Sequence, residues 1–157
     1  MNYTIREIKE TEYGILNEFL YEAIYVPSGM EPPARDIINT PELRVYIDNF
    51  NRQFGHKCLV AESDGKIIGA VWARVMKDYG HIDNDTPSLA ISLYKDYRGQ
   101  GIGTQMMKRM LSMLKDAGYK RASLSVQKAN YAVKMYQTLG FSIVVDNPEE
   151  YIMLIDL

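Results

Sequence analysis

The stretch YRGQGIGTQMM, residues 97–107, constrains the fold of this chain more than any other. Glycines stand at 99, 101 and 103, a few residues after the apolar run PSLAISLY (87–94) and shortly before methionine and leucine at helical spacing. An apolar run, then glycine, then a 3.6-residue period is the pattern of a strand turning tightly into a helix. Such a turn aims the unpaired N–H groups of the first helical residues, and the positive end of the helix dipole, at whatever lies in front of them. That combination suits a phosphate. Gln100, Gly101, Ile102, Gly103 and Thr104 supply the donors, and Gly99 gives the turn its freedom. Arg98 either adds a charge-assisted bond or merely solvates the turn.

The rest of the chain alternates between the two periodicities. Residues 3–8 alternate as a short strand, and 13–25 place Ile15, Leu16, Phe19, Leu20, Ala23 and Ile24 at helical spacing. The segment VPSGMEPPAR, 26–35, breaks any helix and is of the kind that shapes binding sites. A second helical piece is expected over 41–50. CLVAE and KIIGAVWARV, joined by Ser63-Asp64-Gly65, read as a hairpin whose second strand lies centrally. After the polar loop KDYGHIDNDT come the strand ending near Tyr94, the glycine turn, and a helix over 101–117 that buries Met106, Met107, Met110, Leu111, Met113, Leu114 and Ala117. RASLSV is a strand, 130–139 a short helix stopped by Gly140, and FSIVV and YIMLID two strands joined by DNPEE. The order β-α-α-β-β-β-α-β-α-β-β predicts an α/β fold with a mixed sheet. At 157 residues, 46% of them hydrophobic, the chain is expected to form a single domain over 1–157.

Charge and cysteine usage narrow the partners. Lys and Arg number 18 against 20 Asp and Glu, a net charge of −2 without a run of either sign, which argues against nucleic acid as a partner. The lone Cys58, inside KCLVAE, allows no internal disulfide and reads as a buried thiol suited to a reducing, cytoplasmic setting. The opening MNYTIREIKETEYG is polar, and no window approaches the ~18 apolar residues of a membrane span, so neither export nor a membrane is expected. Two histidines and one cysteine make a zinc site, or any metal, unexpected.

The glycine turn fails two common phosphate patterns. A dinucleotide fingerprint needs glycine where Thr104 stands, and a P-loop needs Gly-Lys-Ser/Thr where the chain has Gly103-Thr104-Gln105. What remains, Arg98-x-x-Gly101-x-Gly103, resembles the pyrophosphate turn of the GNAT superfamily of acyl-CoA-dependent N-acyltransferases. Asn130, Ala132, Tyr136, Gly140 and Phe141 in NYAVKMYQTLGF resemble that family's second signature, at the family's separation. The resemblance covers about residues 57–145 and reaches the N-terminal third through element order alone. It implies a GNAT fold: a mostly antiparallel sheet of six to seven strands with about four helices, splayed at strands 4 and 5. It also implies acetyl-CoA as co-substrate, with its pantetheine arm in the splay against Ser92, Leu93, Tyr94 and Asn130. The acetyl group would pass to a primary amine by direct attack in a ternary complex, without an acyl-enzyme. Lys95 stands where the family often has proline.

Roles for individual residues follow from that resemblance. Tyr136 becomes the proton donor to the departing thiolate, since a phenol of pKa about 10 can hydrogen-bond to or protonate a thiolate of pKa about 8.5; a buried structural tyrosine is the plain alternative. Asn130 reads equally as a helix N-cap. An amine of pKa ~10.4 is only about one part in 10³ neutral at pH 7, a penalty of about 4–5 kcal/mol, so a base is wanted. The family's usual acid would fall at Ser88, which is no base; His81, Asp83 and Asp85 are the nearest candidates, and Asp85 is the expected base. The acceptor, a small-molecule or peptide amine, is expected between the first helix, the 26–35 loop and the strand bearing Trp72. Tyr21, Glu22 and Tyr25 would line it, with Glu22 a ligand for a cationic amine; solvated residues of the helix face are the plain alternative. A homodimer stays open, and the competing reading is a non-catalytic CoA-binding regulatory module of the same fold.

Overall fold

A computed structural model of the protein describes residues 2–50, 56–76 and 78–157. Its strands are β1 (Thr4–Glu7), β2 (Lys57–Ser63), β3 (Lys66–Arg74), β4 (Ser88–Leu93), β5 (Arg121–Gln127), β6 (Ser142–Asp146) and β7 (Glu150–Asp156). The helices are α1 (Leu16–Glu22), α2 (Pro41–Arg44), α3 (Ile102–Asp116) and α4 (Ala132–Leu139). The strands form one sheet in the order β1-β2-β3-β4-β5-β7-β6, antiparallel throughout except between β4 and β5. The α/β class and the order of strands and helices are those expected from the sequence, and the splay at strands 4 and 5 is the one the family resemblance implies.

Local chemistry sets these pairings. The β2–β3 hairpin turns on Asp64 and Gly65, both with positive φ (51° and 76°), the geometry that matches the twist of a two-residue hairpin. In β3, which carries neighbours on both edges, Gly69 lets β4 approach closely; a Cβ there would stand 2.2 Å from Leu93 Cδ2. Two cores then form, one on each face of the sheet. Met106, Met107, Met110 and Leu114 of α3 pack with Leu59, Val71, Leu89 and Met153 on one side. Leu16, Phe19 and Leu20 of α1 pack with Cys58, Val60, Ala70 and Trp72 on the other.

Helices 1 and 2 are shorter than their apolar spacing suggests. Before α1 the chain runs as a 3₁₀ helix over Glu10–Ile15, because the Glu12 carboxylate turns back to the Lys9 N–H (2.8 Å) and to Arg6 (2.9 Å) and Gly14 follows. The segment expected as one helix over 41–50 is regular only to Arg44; looser helical turns continue to Asn49, whose φ is 57°. Its side chains close it instead: Arg44 binds Asp48 (2.7 Å) and Asn17 (2.9 Å).

Candidate active site

The site begins where pairing between β4 and β5 stops. The two strands share one register pair, Ser88 with Ser123, and the Ser123 N–H donates to the Pro87 carbonyl at 3.0 Å. At the other end of β4, the Tyr94 N–H donates to Ile68 of β3 (3.0 Å). Backbone groups alternate sides along a strand, so those of Ile91 and Leu93 face β5, and those of Ser92 and Tyr94 face β3. Arg98 Nε takes the Leu93 carbonyl at 2.9 Å. Among the described residues, an edge of β4 therefore meets no partner strand beyond Ser88, and a cavity of about 670 Å³ opens there. Leu89–Ile91 and Leu124–Gln127 wall it on the sheet, Met107 and Tyr136 on one face, Leu20, Ala23 and Tyr25 on the other.

The glycine turn lies past the end of β4. Gly99 and Gly101 both have positive φ (74° and 84°), and an added Cβ at either would meet nothing within 4 Å. Gln105 is the first residue to bond back inside α3, to the Gly101 carbonyl at 3.2 Å, so the N–H groups of Ile102, Gly103 and Thr104 point ahead of the helix. The 15-residue α3 places the positive end of its dipole behind them. Open donors, a dipole and bare backbone make a cradle that a pyrophosphate fits.

Two residues of the second signature reach the cavity. Tyr136, on α4, is 7% exposed, with its ring edge-on to Phe141 at 5.9 Å. Burial pushes its phenol well above the ordinary value, which keeps it protonated. Its side chain lines the cavity. Asn130 also lines it, while its side-chain oxygen accepts the Ala132 N–H at 2.9 Å, so it caps α4 as well.

The acceptor-side candidates divide. Tyr25 lines the cavity, and its hydroxyl donates to the Ala129 carbonyl (3.1 Å), spanning the gap from the α1 side to the α4 side. Tyr21 is tied to Pro33 of the 26–35 loop (2.6 Å) with Arg35 over its ring, so it holds that loop down. Glu22 is paired with Arg98 at 3.1 Å, which joins the end of α1 to the end of β4. Trp72 is fully buried under α1, its Nε1 donating to the Tyr46 carbonyl (3.1 Å), and it supports the wall from beneath. Ser92 ties β4 to α1 through the Phe19 carbonyl (2.7 Å), and Tyr94 packs on the Phe19 ring. Asp85 is exposed and outside the cavity; its neighbour Asp83 accepts the Asp85 N–H and pairs with Arg121. Tyr46 and Tyr79, which no sequence motif singles out, line the cavity.

Residues 20–141, from α1 past the end of α4, match the acetyltransferase (GNAT) family. The chain belongs to that family. Human N-acetyltransferase 8B is 28% identical over 104 residues, 63% of this chain and 46% of that protein. The chain thus spans less than half the length of that curated relative. Among solved structures, the PaiA N-acetyltransferase of Thermoplasma acidophilum in complex with coenzyme A superposes with a TM-score of 0.74 at 19% identity, covering 100% of both chains. YncA of Salmonella typhimurium, solved with its cofactor acetyl-CoA, superposes with a TM-score of 0.73 at 17% identity, covering 100% of this chain and 95% of that one. At these identities the likeness concerns the fold. Among the described residues no helix is long and apolar enough to cross a membrane.

Proposed function

We propose that the protein is an N-acetyltransferase that moves the acetyl group of acetyl-CoA to a primary amine by direct attack in a ternary complex. The observation that carries this reading is the unpaired β4 edge, which shares one cavity with Asn130 and the buried Tyr136 phenol. The fold relatives bound to coenzyme A and acetyl-CoA support the same donor. Cys58 supports direct attack: it packs on the α1 face, outside the cavity, with its thiol pushed up by burial, so no cysteine nucleophile lines the cavity.

The glycine turn, the β4 edge and Tyr136 each have a task under this reading. The N–H groups of Ile102, Gly103 and Thr104 bind the pyrophosphate, and glycine at 101 keeps side chains away from it. The backbone of Ile91 and Leu93 pairs with the pantetheine amides as another strand would. Tyr136 then lies on the α4 side of the thioester. Its raised pKa makes the phenol a weak acid, so full proton transfer to a thiolate is uphill on its own. The phenol therefore stabilises the thiolate by a hydrogen bond and gives up its proton only as the new amide nitrogen sheds one, which restores it.

The test uses coenzyme binding and turnover together. Calorimetry with CoA should show one site, and thiol release from acetyl-CoA should rise with at least one member of a panel of polyamines, amino acids, aminoglycosides and peptide N-termini. Tyr136→Phe should keep CoA affinity and lose ~10²-fold in the chemical step. CoA binding without thiol release for any amine would favour the non-catalytic module instead.

A further inference from the structure

The proposed transfer needs a group to take the proton of the amine. Ser88 stands where the β4–β5 pairing ends and is fully buried; its Oγ donates to Asp78 Oδ1 at 2.8 Å. Ser123, also fully buried, stands 3.5 Å from the Ser88 hydroxyl and donates to the Gly80 carbonyl (2.7 Å), which pins the Asp78 loop to β5. The Asp78 carboxyl also bonds the Tyr46 hydroxyl, from the segment after α2. Tyr46 and Tyr79 lie in the cavity wall.

These contacts differ from those of a structural carboxylate. Among the described residues, no lysine or arginine forms an ion pair with Asp78. The groups facing it are the Tyr46 phenol, Ser88 on β4 and backbone N–H groups of its own loop, where His81 is occupied with the Met76 carbonyl. Burial outweighs those hydrogen bonds and pushes the carboxyl above the usual carboxylate range. A desolvated carboxylate that pairs with no cation among the described residues, one hydroxyl away from a cavity, is suited to accept a proton.

We infer that Asp78 is the proton acceptor for the incoming amine, with Tyr46 passing the proton from the cavity to the carboxylate; this rests on the acetyl transfer proposed above. In the step, one N–H bond of the ammonium breaks and its electron pair stays on nitrogen. The proton binds Tyr46 Oη as the phenol's own proton crosses its hydrogen bond to the Asp78 carboxylate. Tyr46 remains neutral throughout, the amine becomes neutral and nucleophilic, and Asp78 becomes a neutral carboxyl. After product leaves, the proton returns through Tyr46 to solvent. Ser88 holds the other partner contact and so orients the carboxylate.

Thiol release from acetyl-CoA with the best acceptor of an amine panel tests this, for wild type, Asp78→Asn and Tyr46→Phe, from about pH 6 to about pH 10. CoA affinity and unfolding midpoint are measured on each protein. Both variants should bind CoA within about threefold of wild type and lose ~10²-fold in kcat/KM at pH 7. Wild-type kcat/KM should level off above the Asp78 pKa. The variants should keep rising about tenfold per pH unit toward the amine's own pKa near 10.4, so the deficit closes at high pH. A weakly basic amine, already neutral at pH 7, should be nearly indifferent to either substitution. Variant profiles parallel to wild type, or equal losses for the weakly basic amine, overturn the assignment. If Asp78→Asn does not fold, Tyr46→Phe decides alone, and an unchanged profile overturns it. Wild type that binds CoA yet releases thiol with no amine overturns instead the acetyl transfer on which the inference stands.

Discussion

The two walls of the cavity are built by different means. On the coenzyme side, long regular elements present backbone: α3 runs for 15 residues, buries Met106, Met107, Met110 and Leu114 completely, and offers N–H groups at its start. On the acceptor side, residues 10–50 form helices of seven and four residues, each preceded by a 3₁₀ turn, Glu10–Ile15 and Arg35–Asn39. Side chains hold that wall: Arg6 to Glu12, Glu18 to Arg35, Arg44 to Asn17 and Tyr21 to Pro33. Backbone donors persist through most substitutions, whereas side-chain ties change with each one. Under the proposed transfer, such a fold keeps its donor cradle while the acceptor wall varies with its side-chain ties.

The strongest way to break this comparison is to remove the ring beneath the acceptor wall. Trp72→Ala leaves a large void between α1 and the sheet and frees the Tyr46 carbonyl from its bond. The expected loss is about 3–5 kcal/mol of unfolding free energy, read by denaturant titration. Amides of residues 41–50 should lose exchange protection first, while CoA affinity in the surviving folded protein stays close to wild type. A uniform loss of protection across α3 would mean that the two walls are not independent.

Gly101→Asp attacks the other wall. It puts a side chain at φ +84°, where an L-residue costs about 1–2 kcal/mol, and a negative charge where phosphates are expected. The space around it is open, so the fold should survive. CoA affinity should fall by ~10²-fold or more, about 3 kcal/mol, by calorimetry. Unchanged affinity would remove the cradle from the reading.

The sequence was informative on the coenzyme side because its signals are local. Alternate glycines, the methionine period of α3 and the Asn130 cap each lie within one turn of the element they define. The loss of pairing between β4 and β5 has no local signal, and only the family resemblance implied it. On the acceptor side, apolar spacing located both helices but not their lengths, since Arg6 on β1 reaches Glu12 in the first turn, which runs as 3₁₀. Trp72 read as a site residue because alternation does not tell which layer covers a strand face. Nothing in the sequence sets Asp78 apart among the acids of KDYGHIDNDT; what distinguishes it is contact with Tyr46 and Ser88, which the fold alone brings to it.

A smaller effect sharpens the comparison at the point where the walls meet. Arg98 bonds the Leu93 carbonyl, the Glu22 carbonyl and the Glu22 carboxylate, and is about a third exposed. Arg98→Ala should cost about 1–2 kcal/mol, and Glu22→Gln less than about 1 kcal/mol, since the latter keeps an acceptor and loses only the charge. If Arg98 serves the walls rather than the phosphates, CoA affinity should change by less than about threefold in both variants, with the same salt dependence as wild type. A drop confined to Arg98→Ala and steep in salt would return Arg98 to the phosphate site.

The smallest expected effect is the acid response of the acceptor wall. Arg6 grips both Glu12 oxygens at 2.9 Å, Lys9 adds its N–H, and the Glu12 carboxyl falls from its usual 4.5 to about 2. Its folded-state pKa is depressed, so the stability it contributes is fully present above pH 4.5 and disappears as pH falls through about 2. Water still reaches the pair, with 26% of Arg6 and 21% of Glu12 exposed, so the contribution is about 1 kcal/mol rather than the full value of the shift. Glu12→Gln retains an oxygen for the Lys9 N–H and isolates the charge. Urea unfolding should find the variant weaker by about 1 kcal/mol at pH 7, with the gap shrinking through pH 4 toward zero near pH 2. A gap that does not change with pH would assign Glu12 a capping role only, and the 3₁₀ turn would then owe nothing to its charge.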